Sequence, residues 1–204
     1  MNKNKKYKKY RRLTEEEKSL IFKLNEENIG QRAIARVLDV YVRTVQYHLK
    51  KIVKYKKMYK DNIKLLKENI AFVYLIIDEL YTFIGKKGNK AYIWSAIAVK
   101  EDGSLIYLYH LSKRKNNEAL EEFCESLPDV PKVYCDGNMS YGSVFGEKAT
   151  LEKSVFTNLI ESLNSSLRSK ISYLTRRSDK HSKSFDWLDY KLANFFYKKN
   201  TVCC

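Results

Sequence analysis

The sequence predicts an α/β domain, a mixed sheet with flanking helices, preceded by a small all-α helix-turn-helix domain. Three observations carry that expectation. Apolar residues recur at helical spacing up to about residue 52, and from Ala71 the pattern changes to short apolar runs rich in β-branched and aromatic side chains. Charge divides at the same place: residues 1–70 hold 20 Lys/Arg and 8 Asp/Glu, net +12, whereas residues 71–204 hold 19 and 16, net +3. Finally, two of the apolar runs lead straight into aspartates, the arrangement by which α/β sheets gather chemistry at strand ends.

Composition sets the outer bounds. At 204 residues, 44% hydrophobic, with only 2 Pro and 7 Gly, the chain can bury a core and is not a disordered or collagen-like sequence. A net charge of +15 favours a polyanionic partner. The apolar run Ala71 to Ile77 is far short of the about 20 residues a spanning helix needs, and no other run in the chain approaches that length, so no membrane partner is expected. The basic N-terminus has no apolar stretch behind it, against a secretion signal. Cys124, Cys135, Cys203 and Cys204 form no C-x-x-C pair, which reads as reduced thiols in a cytoplasmic chain without structural zinc.

Taken in order, residues 1–12 form a basic arm compatible with phosphate contacts. Residues 13–52 predict three short helices. Thr14 with Glu17 is a capping-box pattern, and Leu20, Ile21 and Leu24 follow it as an apolar face. Gly30 breaks the chain; Ile34, Ala35, Val37 and Leu38 give the second helix its face; Asp39, Val40 and Tyr41 turn; Val45 and Leu49 anchor the third. In a helix-turn-helix the exposed face of this last helix enters the major groove, presenting Val42, Arg43, Thr44, Gln46, Tyr47 and Lys50. Arg43 suits guanine and Gln46 adenine, while Thr44 and Lys50 suit phosphates. A small helical packing module is the bland alternative, and the basic charge tilts against it. Residues 53–70 read as a basic linker helix.

From Ala71 a strand buried on both faces runs to Ile77 and ends in Asp78-Glu79. Tyr92 to Val99 and Leu105 to Leu111 form a hairpin through Glu101-Asp102-Gly103, Asn116 to Leu127 a helix, and Lys132 to Cys135 a brief strand leading into Asp136. A long helix is expected from about Lys153 to Leu174, with Glu161, Asn164, Ser165 and Arg168 on one stripe. Glu79 should point to the face opposite Asp78. Trp94, Trp187, Tyr190 and Phe195 are assigned to packing. Residues 200–204 are read as a tail.

Three carboxylates, Asp78, Asp136 and Glu161, would repel if gathered unless cations sat between them, and hard divalent ions take oxygen ligands of this kind. Two such ions can activate a water or 3′-hydroxyl and stabilise the leaving oxygen in phosphoryl transfer. Asp78 suits the shared ligand, Asp136 one ion and Glu161 the other.

Several motifs carry a resemblance. D-E-L-Y-T-F-I-G at 78–85, Y-I-W at 92–94, C-D-G-N-M-S-Y at 135–141, F-T-N-L-I-E-S-L-N-S-S-L-R at 156–168 and R-R-S-D-K-H-S-K-S at 176–184 resemble transposases of the insertion-sequence-one family. The resemblance covers roughly residues 71–199. It implies a ribonuclease H-like catalytic domain with an Asp-Asp-Glu triad falling on Asp78, Asp136 and Glu161, and a role for Asn164 and Arg168 as active-site or end-DNA contacts. Arg176 and Arg177 are further expected DNA contacts, beside His181 and Lys183.

The resulting expectation is a DNA transposase, nucleoid-associated in the cytoplasm, using Mg²⁺, for which Mn²⁺ can substitute. Its partners would be double-stranded DNA, both transposon ends and target, and further copies of itself on that DNA. The alternatives are a non-catalytic helix-turn-helix DNA-binding regulator and a metal-dependent nuclease without strand transfer.

Overall fold

The computed structural model describes residues 11–50, 53–68, 71–136, 139–150, 157–175 and 181–202. The chain divides into two compact units, with the boundary between Lys54 and Tyr55.

Among the described residues the first unit holds helices α1 (Glu15–Glu26), α2 (Gln31–Val37) and α3 (Val42–Lys50). Thr14 caps α1 as the sequence predicts: its hydroxyl accepts from the Glu17 N–H at 3.2 Å, and the Glu17 carboxylate accepts from the Thr14 N–H at 3.0 Å. Arg11 donates to both Glu17 oxygens, at 2.7 and 2.6 Å, and to the Leu38 carbonyl at 3.0 Å. That fork holds the Glu17 carboxyl down at about 2, and it makes Arg11 part of the domain rather than of the arm. Residues 1–10 of the arm lie outside the described residues. Asp39 turns the chain between α2 and α3 with φ +49, a conformation Asp tolerates. Leu13, Ile21, Ile34, Ala35, Leu38, Val40, Val45 and Leu49 are buried. Val37, expected on the inner face of α2, is 67% exposed, because it lies at the end of a seven-residue helix and the turn takes Leu38 and Val40 inward instead.

Among the described residues the second unit forms a five-stranded mixed sheet: β1 (Phe72–Phe83), β2 (Lys90–Lys100), β3 (Leu105–Ser112), β4 (Val133–Tyr134) and β5 (Ala149–Thr150), in the order β3-β2-β1-β4-β5. The first three strands are antiparallel neighbours, and β1, β4 and β5 run parallel. Gly103, with φ +80, closes the β2–β3 turn where the sequence places it. Helices α5 (Asn117–Cys124) and α6 (Met139–Phe145) pack on one face around Leu75, Ile77, Trp94, Phe123 and Tyr141. The other face is covered by α4 (Val53–Lys67), α7 (Thr157–Lys170) and α8 (Phe185–Val202), around Ile76, Ile93, Ile97, Leu163, Leu167, Leu192 and Phe196.

Three expectations change here. β1 does not stop at Asp78-Glu79 but pairs with β2 as far as Phe83↔Lys90, because the antiparallel partner takes up the backbone hydrogen bonds past the two acids. The helix over 53–67 is not a free linker: Tyr59 is buried in the second unit's core and Lys67 Nζ donates to the Ser126 carbonyl at 2.7 Å. Finally, α8 continues through residue 202, and Asn200 is buried, so these residues are not a loose tail; Cys203 and Cys204 lie outside the described residues.

The outer edge of β3 is closed by side chains. Asn200 accepts from the Tyr107 N–H at 2.8 Å and donates to the Tyr107 carbonyl at 3.0 Å, as a neighbouring strand would. The next outward N–H, that of Tyr109, donates to the Tyr59 hydroxyl at 3.1 Å.

Candidate active site

The parallel pairing of β1 with β4 sets the site. Ile76 is level with Tyr134, so Asp78 and Asp136, each two residues further on, emerge side by side on one face. Asp136 is exposed, and Asp78 is part-buried against α7. Burial raises the Asp78 carboxyl above its ordinary range; the Glu79 N–H donated to it at 2.7 Å opposes this, the charge of Asp136 adds to it, and Arg168 and Asn164 oppose it.

Asn164 is 2% exposed and its orientation is fixed from both ends. The Ser95 hydroxyl donates to Asn164 Oδ1 at 3.2 Å, and Asn164 Nδ2 donates to Asp78 Oδ2 at 2.6 Å. Ser95 itself lies opposite Asp78 in the β1–β2 register. Ser95 went unnoticed in the sequence, although a lone hydroxyl between Ile93 and Ile97, on the face shared with Asp78, is a readable signal.

Glu161 is on α7, one turn before Asn164, and Arg168 one turn after it, so all three share a stripe. Glu161 is exposed. Among the described residues no group of three or more His, Cys, Asp or Glu side chains stands where it could hold a metal ion. Asp78 is thus surrounded by Asp136, Asn164 and Arg168, while Glu161 is exposed on α7 and completes no such group. Arg176 and Arg177 lie outside the described residues.

Glu79 occupies the opposite face, as alternation requires, with its carboxylate 3.1 Å from Lys115 Nζ. Tyr141 is buried there, edge-on to Trp94 at 6.0 Å, and burial together with the negative charges of Asp136, Asp78 and Glu79 pushes its hydroxyl pKa well up. Neither Lys115 nor Tyr141 was singled out by the sequence.

In the first unit, Arg43, Gln46, Tyr47 and Lys50 are exposed on α3, and Thr44 is half-buried. Gln46 Nε2 donates to Gln31 Oε1 at 3.2 Å, tying the outer face of α3 to the start of α2.

Residues 71–201 match the family described as IS1 transposase. The chain belongs to the IS1 transposase family. Residues 9–51 of this transposase match a helix-turn-helix domain family. The transposase is 27% identical over 124 residues to the insertion element iso-IS1n protein InsB of Shigella dysenteriae, covering 60% of this chain and 92% of that protein. It also matches a chain in a cryo-electron microscopy structure of a simian T-cell lymphotropic virus intasome in complex with PP2A regulatory subunit B56 gamma. That match has a TM-score of 0.36 and 9% identity, over 87% of this chain and 64% of the other, too slight a likeness to bear on fold or chemistry. No helix among the described residues is long and apolar enough to cross a membrane.

Proposed function

We propose that this transposase binds transposon ends through α3 and cleaves and joins DNA at a metal-dependent centre built on Asp78, Asp136 and Glu161. The supporting observation is the pair of aspartates side by side on adjacent parallel strands, backed by a buried amide and an arginine. The strand order β3-β2-β1-β4-β5, antiparallel on one side of β1 and parallel on the other, supports a ribonuclease H-like reading of the second unit. Mg²⁺ is the fitting ion, and Mn²⁺ a substitute, because the donor set is all oxygen and two of its charges already crowd each other.

A bound divalent ion would supply charge neutralisation and an activated water or 3′-hydroxyl for in-line displacement at phosphorus. The chain's own groups prepare the place. Asn164 fixes the Asp78 rotamer by donating to Oδ2, and Ser95 fixes which end of Asn164 faces the carboxylate. Arg168 tempers the negative charge. Glu161 is the remaining oxygen donor, one helical turn from Asn164.

Amide substitution tests this reading. Asp78→Asn, Asp136→Asn and Glu161→Gln should each lower Mg²⁺-dependent cleavage of a labelled end fragment by several orders of magnitude, roughly 10³-fold or more, while leaving duplex binding intact. Glu79→Gln, on the opposite face, should retain most activity. Full activity in any of the three, or cleavage that survives chelation, would remove the metal-triad reading, whereas a parent chain that binds DNA and never cleaves it would be a non-catalytic DNA-binding regulator. Cleavage without joining would make it a nuclease.

A further inference from the structure

We propose that the free end of the β1–β2 hairpin is a second DNA-contacting surface, distinct from α3, that grips phosphates of the duplex flanking the reacting bond. The inference rests on the DNA-processing reading above. Past Asp78 the hairpin continues to Phe83↔Lys90 and turns through residues 84–89, all but Ile84 of them exposed. Lys86, Lys87 and Lys90 are exposed there, and among the described residues none of the three enters an ion pair or a side-chain hydrogen bond. A protein surface normally intersperses both signs of charge, and the turn carries only one. The neighbouring strand adds Lys113: β3 ends at Ser112 opposite Tyr92, so Lys113 leaves the sheet at this same end, followed by Arg114, which is paired with Glu118 at 3.0 Å.

The turn is held rather than loose. Gly85, at φ +73, donates its N–H to the Ser182 carbonyl at 2.8 Å, and its own carbonyl lies 2.7 Å from His181 Nε2. A carbonyl only accepts, so Nε2 carries the proton. The His181 ring also lies against Phe83, with centroids 4.9 Å apart. Ser182, 1% exposed, anchors the clasping segment through its hydroxyl to the Ser184 carbonyl at 2.7 Å. Lysines on such a clasped turn reach a fixed position, which lowers the entropy lost on binding.

Position identifies the partner. β1 carries Asp78 and leads directly into the turn, and the five steps from Asp78 to Phe83 span about 17 Å at about 3.4 Å each. Duplex DNA places a phosphate on each strand about every 3.4 Å along its axis, so a duplex engaged at Asp78 meets the lysines roughly five or more base pairs away. An acidic protein would match the charge but has no reason to be centred beside the two aspartates.

The test uses the full chain and a random-sequence duplex. Wild type and a variant carrying Lys86→Ala, Lys87→Ala and Lys90→Ala are titrated at several salt concentrations between about 50 and 200 mM, with a triple Lys→Arg variant as rescue. The slope of log affinity against log salt should fall by about 1 to 3 in the alanine variant, at about 0.9 per phosphate contact, and return in the arginine variant. An unchanged slope overturns the inference, whether or not the oligomeric state or melting temperature changes. Wild-type protein that binds no DNA would instead sink the functional reading itself, so the two failures are separable.

Discussion

Asp78 is held against the chemistry of its surroundings. Its carboxyl is raised first by burial and further by the charge of Asp136, with Glu79 N–H, Arg168 and Asn164 only partly offsetting them. A folded-state pKa above the unfolded value means that the folded chain binds the extra proton as pH falls. Stability from this group is therefore greatest in acid and is lost as pH rises from the unfolded carboxylate range through the raised folded value. At neutral pH the ionised side chain works against folding. Asp78→Asn should accordingly melt at a higher temperature than the parent at pH 7 in chelator, and the gain should vanish near pH 3, below the about 3.9 of an unfolded aspartate. Differential scanning calorimetry across that range decides it, and a lower melting temperature at pH 7 would refute the sign. Much of this residue's setting was readable: an apolar run into an acid, a second such run, and a helix stripe with Asn164 and Arg168. The lone Ser95 hydroxyl was visible too, but its partner was not, because Asn164 is 69 residues away and no local pattern joins the two.

Among the elements, β3 shows how an edge is kept closed. Asn200 pairs with both backbone groups of Tyr107, and Tyr59 accepts from Tyr109. Replacing Asn200 by Ala leaves a buried N–H and C=O unmatched, at a cost of about 1 to 3 kcal/mol. Chemical denaturation should show that loss, and light scattering should show concentration-dependent association through the bared strand; wild-type behaviour in both assays would mean that the edge needs no guard. Strands β1 to β4 were legible because apolar runs and turn signals are local, whereas the two-residue β5 was not. The length of β1 was not, since two acids in mid-strand read as a stop. The fold tolerates them by facing Asp78 with Asn164 and Glu79 with Lys115. Helix α8 escaped notice because apolar side chains line much of its circumference, Leu188, Leu192, Ala193 and Phe196 buried and Trp187, Phe195 and Tyr197 half-buried, so no single stripe stands out.

At the scale of the whole molecule, charge and chemistry are carried by different stretches of chain. Residues 1–70 hold net +12, and the paired aspartates stand in a region, 71–152, that is net −3. Binding should therefore depend on salt and not on divalent metal: raising salt from about 50 to 200 mM should weaken duplex binding by at least about tenfold, while EDTA at fixed ionic strength should leave it unchanged and stop cleavage. Fluorescence anisotropy on one labelled duplex checks both, and binding that collapses in EDTA would mean that metal, not charge, holds the DNA. The edge guard of β3 also has a timetable. Tyr59 is made before the strand it protects, but Asn200 follows Tyr107 by 93 residues. At about 5 to 20 residues per second of synthesis, every new copy carries a half-bared strand for roughly 5 to 19 seconds, beside sister chains emerging from the same messenger. Helix α8 thus ends the period in which one nascent copy can be stitched to another.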